Sequence, residues 1–95
     1  MSEIDELSVT FEENGVEVVK ELDKVVLTKG AWATVVFLYQ DWDNEAEGYG
    51  APKVTLRRYR KVRGQYRQQS KFNLSSLAQG EQLAGILLGW ARDKK

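Results

Sequence analysis

The 95-residue chain has no cysteine and no histidine. Their absence excludes disulfides, thiolate nucleophiles and Cys/His zinc sites, and it removes the imidazole base that most serine and cysteine hydrolases use. The expectation is a non-enzymatic protein with no metal and no cofactor. Proline occurs once, at Pro52, which leaves no room for a proline-rich linker. Apolar runs stop far short of the roughly 18 residues that cross a bilayer, so no membrane partner is expected. The opening Met-Ser-Glu-Ile-Asp-Glu is acidic where a signal peptide is basic and then apolar. The chain is read as cytoplasmic, and as nucleoid-associated if bacterial.

What is present is 42% hydrophobic and 29% charged residues, the composition of one small folded domain rather than of a disordered chain. The formal net charge is zero, which at first sight argues against a polyanionic partner. The zero is a cancellation. Residues 1–50 hold twelve acids and three bases, a balance of −9, and residues 51–95 hold eleven bases and two acids, a balance of +9. Between positions 53 and 71 stand Lys53, Arg57, Arg58, Arg60, Lys61, Arg63, Arg67 and Lys71 with no acid among them. Such asymmetry raises the expectation of a polyanion partner.

Residues 1–14 are acidic and without firm periodicity, a mobile arm or a weak first strand that ends at the Asn14-Gly15 turn signal. Residues 15–95 form the domain. Residues 16–29 are rich in Val and Leu, Lys29-Gly30 punctuates, and residues 32–42 are a run of β-branched and aromatic residues, which together predict a hairpin. Residues 43–52 are acidic and glycine-bearing and are read as a loop. Residues 53–63 alternate, with Val54 and Leu56 on one side and Thr55, Arg57, Tyr59 and Lys61 on the other. Arg58 and Arg60 interrupt the apolar side and are placed where the strand twists out beyond the core. Residues 66–74 alternate again, with Phe72 and Leu74 opposite Arg67, Gln69, Lys71 and Asn73, completing a second hairpin. From Ser76, a plausible N-cap with Gln79 three residues on, Leu77, Leu83, Ile86, Leu87 and Trp90 recur at helical spacing. Gly80, Gly85 and Gly89 each cost about 1 kcal/mol inside that helix, so a close neighbour is expected to compensate. Strands followed by one amphipathic helix make an α+β domain, an antiparallel sheet with the helix on one face.

The basic second hairpin is the leading candidate site, because alternating cations with Tyr59 and Tyr66 offer phosphate contacts and stacking platforms for a single strand. Lys29 and Trp32 at the first turn extend it. A plainer alternative is a solvated basic face that pairs with the acidic loop, and a Trp at a strand start is more often a core residue. Phe37 and Tyr39 belong to the core, and Trp90 to the core or a dimer seam. Asp41, Asp43, Glu45 and Glu47 suggest a calcium loop only superficially, since Ala46 and Pro52 stand where the motif needs Gly and Glu. Gly48-Tyr49-Gly50 precedes a strand rather than a helix and is no phosphate loop.

The run from Pro52 through Lys-Val-Thr-Leu-Arg57-Arg-Tyr59, the basic hairpin, and Lys71-Phe-Asn-Leu74-Ser75 leading into a helix resemble the positive-cofactor-four-like family of single-stranded-DNA-binding transcriptional coactivators, especially its short bacterial members. Val-Val-Leu27-Thr-Lys29-Gly30-Ala-Trp32 fits that family's first hairpin. The resemblance spans about residues 25–90. It implies a four-stranded curved antiparallel sheet with a C-terminal helix, a homodimer through that helix (Leu83, Ile86, Leu87 and Trp90), and a groove lined by Lys29, Trp32, Arg57, Tyr59, Lys61, Arg67 and Lys71. Arg60 stands where family members often carry an aromatic, and the acidic arm lies outside the shared region. The expected function is binding of single-stranded DNA, or RNA, in transcription or DNA handling. The alternative is a protein-interaction adaptor whose basic hairpin docks an acidic partner.

Overall fold

The computed structural model describes residues 4–94. Six strands and one long helix follow a short 3-10 turn, Ile4–Glu6: β1 (Phe11–Glu13), β2 (Val16–Thr28), β3 (Trp32–Asp43), β4 (Gly48–Tyr49), β5 (Lys53–Val62), β6 (Gln65–Leu74) and α1 (Leu77–Asp93). The sheet is antiparallel, in the order β1-β2-β3-β5-β6, with β4 pairing the end of β3. The molecule is α+β, a curled sheet followed by one C-terminal helix. Four strands are long; β1 is the short first strand before the Asn14-Gly15 turn, one of the two readings of residues 1–14, and the two-residue β4 occupies part of the expected 43–52 loop. Among the described residues no helix is long and apolar enough to cross a membrane.

Alternation along the strands, together with the register, divides the sheet into two faces. Val35 pairs with Arg57, Phe37 with Thr55 and Ala33 with Tyr59, so these point to one side, the inner face. Ala33, Val35 and Phe37 are fully buried there. What buries them is the N-terminal segment, whose Val9 joins the cluster with Ile4 and Leu7 packed beside it. The Lys24 ammonium, also on the inner face, fixes the segment by donating to the carbonyls of Ile4 (2.6 Å) and Leu7 (2.8 Å). The acidic stretch thus supplies apolar side chains to the core.

The outer face carries Val36, Leu38, Val54, Leu56, Phe72 and Leu74, with Val25 beside Val36. Helix α1 docks only at its start. Ser76 caps it by accepting from the Gln79 amide, and the Gln79 side-chain oxygen accepts in return from the Ser75 amide at 2.8 Å, a capping-box arrangement displaced by one residue. A Cβ on Gly80 would sit 3.4 Å from Leu74, so that glycine permits the close approach. Gly85 and Gly89 face open space, and no residue of the helix is buried. The expected close neighbour exists for one glycine of the three.

Candidate nucleic-acid interface

Position along the strands brings the two candidate regions together. Trp32 pairs with Arg60 at the start of β3, and Lys61 donates its amide to the Ala31 carbonyl at 2.8 Å. From β6 the Tyr66 hydroxyl reaches the same turn, donating to the Gly30 carbonyl (2.9 Å) and accepting from the Gly30 amide (3.3 Å). Gly30 has φ +139°, a conformation that glycine takes at little cost. The Lys29 turn and the tip of the β5–β6 hairpin are therefore one end of the sheet.

On the inner face lie Lys61 opposite Tyr66 at that end and Arg57 opposite Lys71 midway along the strands. The Lys61 ammonium sits 5.5 Å above the Tyr66 ring, and Arg57 donates through Nη1 to Gln68 at 3.0 Å. The Arg57 Nε is buried without an acceptor, an unusual cost for a charged group. Tyr59 lies between them but is only 5% exposed, and burial pushes its hydroxyl above the usual phenol range against the pull of Arg57. Its ring belongs to the core cluster with Val9, Val35 and Phe37. Tyr59 was expected on an open sheet as a stacking platform; the N-terminal segment, whose position no local pattern announces, covers it.

Arg67 and Gln69 also depart from the simple alternation. Arg58 pairs with Ser70 and Tyr59 with Gln68, so β6 carries a bulge with Gln69 as its extra residue. One extra residue inverts every side chain beyond it. Arg67 consequently points to the outer face, in register with Arg60, whereas Lys71 stays on the inner one. The Gln69 amide turns back to the Arg67 carbonyl at 3.3 Å.

Trp32 is on the outer face as well, 42% exposed. The Arg58 and Arg60 guanidiniums lie over its ring, 4.5 and 5.6 Å from the centroid. These two arginines were read as strays beyond the core. The signal that finds them is the same alternation that places Leu56, continued to 58 and 60 beside a tryptophan two residues after Gly30.

The acidic loop is at the other end of β3. Eleven residue steps of about 3.3 Å place it roughly 35 Å from Trp32. Among the described residues none of Lys29, Arg57, Arg58, Arg60, Lys61, Arg63, Arg67 or Lys71 is ion-paired, while Lys53, near the loop, meets Asp41 at 2.9 Å. That contact holds the Lys53 ammonium above the ordinary lysine range. The loop itself is shaped by Asp43, which accepts from the Glu45 and Ala46 amides, and among the described residues no group of three or more His, Cys, Asp or Glu could hold a metal ion. No family model, curated protein or solved structure matches this chain.

Proposed function

We propose that the chain is a non-enzymatic module that binds single-stranded nucleic acid, DNA foremost, in transcription or DNA handling, and that it works as a homodimer. The observation that carries the reading is the separation of charge: apart from Lys53, the cations of β5, β6 and the Lys29 turn run from the middle of the sheet to one end without an ion pair among the described residues, and the acidic loop is at the other end. A basic surface whose cations form no ion pair among the described residues attracts a polyanion. Arg57, Lys61 and Lys71 on the inner face supply phosphate contacts. The half-buried Tyr66 and the exposed Trp32 are the aromatic rings available in place of Tyr59. Fluorescence anisotropy with labelled oligothymidylate and with duplex, at two salt concentrations, tests this. Binding of the single strand is expected, with log K falling by about 0.7 per phosphate contact for each unit of log salt. No binding, or binding indifferent to salt, refutes the proposal.

The homodimer is supported by what α1 leaves uncovered. Leu83 is half-buried in a groove with Phe72 and Leu74, while Ile86, Leu87, Leu88 and Trp90 are 49–62% exposed. Helices draw most of their stability from a buried apolar face, and among the described residues none of this helix is fully buried. Phe72 at 60% and Val25 at 53% extend the apolar surface across the outer face. A second copy covers such a surface symmetrically. Sedimentation equilibrium should give the mass of two chains, and Leu87→Glu with Trp90→Glu should give one; a wild-type monomer at tens of micromolar excludes the dimer.

A further inference from the structure

The basic end of the sheet is cationic on both faces, and the outer one is built differently. Arg60 lies between Trp32 and Arg67 in register, and Arg58 stands one pleat along, opposite Ser70. Arg58 and Arg60 rest on the indole ring. Among the described residues none of the three guanidiniums donates a hydrogen bond to the protein or meets a carboxylate. A guanidinium drawn over an aromatic ring by cation–π attraction, with no partner for its N–H groups, keeps them free to grip a phosphate through paired bonds. Like charges at neighbouring cross-strand positions repel, so the cluster is held together at a cost that an anion relieves.

The hairpin apex continues the charge between the faces. Arg63 and Gly64 have φ of 52° and 79°, the left-handed pair of a type I′ turn. The other such turn in the sheet, Asn14-Gly15, uses the residues this geometry favours, with φ of 53° and 81°. At position 63 a long cation stands where Asn is preferred. Local rules are broken in this way mostly at working sites. Arg63 joins Lys61 and Arg57 on the inner side to Arg60 and Arg67 on the outer side.

We propose that Trp32, Arg58, Arg60 and Arg67 form a second phosphate-binding site on the outer face, and that one nucleic-acid strand runs along Arg57, Lys61 and Lys71, passes Arg63 and is gripped again on the reverse side. This rests on the single-strand-binding function above and adds to it the path of the strand. The test compares wild type with Arg58→Gln/Arg60→Gln/Arg67→Gln, using labelled oligothymidylates of two lengths, one long enough to pass round the tip and one confined to a single face. For the long strand, three lost contacts should flatten the salt slope by about 2 units, with affinity reduced at least about tenfold; the short strand should lose less. Tryptophan emission should change when the long strand binds, and Trp32→Phe should abolish that change. A wild-type salt slope in the folded triple variant, or emission unaltered by binding, overturns the outer site while leaving the function standing. Failure of the wild type to bind either strand overturns both.

Discussion

Reversing Arg57 and Lys71 together, as Arg57→Glu with Lys71→Glu, is expected to weaken single-strand binding about a hundredfold at moderate salt. The two side chains face each other across β5 and β6 on the inner face, where a backbone phosphate can lie between them. Each charge-assisted hydrogen bond contributes about 1.5 kcal/mol or more, and two make about 3 kcal/mol, or two orders of magnitude. The salt slope should fall by about 1.4 units, since each single-strand phosphate contact accounts for about 0.7. The fold should persist. Lys71 is exposed, and Arg57 gives up one side-chain hydrogen bond, to Gln68. Anisotropy on oligothymidylate, with a thermal melt of the free protein, separates the effects: a folded variant of unchanged affinity means that the strand does not use this face.

The second large effect is on stability. Phe37→Ala should cost about 3–5 kcal/mol, the usual range for emptying a buried phenylalanine site. Phe37 is fully buried at the centre of the inner face, against the cluster that Val9 closes. A chain of this length has on the order of 5–14 kcal/mol of stability in total, so the variant loses a large share of it. At about 4–8 °C per kcal/mol for a domain this small, the melting midpoint should drop by at least about 12 °C in circular dichroism. A drop below about 5 °C would place the centre of the core elsewhere. The same substitution loosens the seat of the N-terminal segment, because Val9 and Phe37 share that cluster.

The four long strands and the helix were legible because each follows one period without interruption: residues 32–42 are too rich in β-branched and aromatic side chains to be anything but a strand, and Ser76 with Gln79 marks the helix start. The sides of the sheet were legible only as far as that period runs. Gln69 carries no mark of a bulge, being one amide among Gln65, Gln68 and Gln69, and it reverses Arg67. Tyr59 sits in Arg-Arg-Tyr-Arg-Lys, where every neighbour is cationic, and local composition therefore points to solvent. Its burial depends on Val9, fifty residues earlier, and long-range packing of that kind has no local signature. Arg58 and Arg60 were visible as breaks in an apolar side, but the Trp32 ring they lie over comes from another strand.

The bulge at Gln69 has a consequence for solubility. β6 is an edge strand ten residues long, and such an edge offers its unpaired amides and carbonyls as a template on which another chain can pair and propagate. Proline, a common guard at such edges, is absent from it. The extra residue twists the strand and breaks the row of free backbone groups near its middle, and Arg67 and Lys71 on either side set charge against an incoming strand. The irregularity that hides Arg67 from a periodic reading also works against pairing of this edge with another chain.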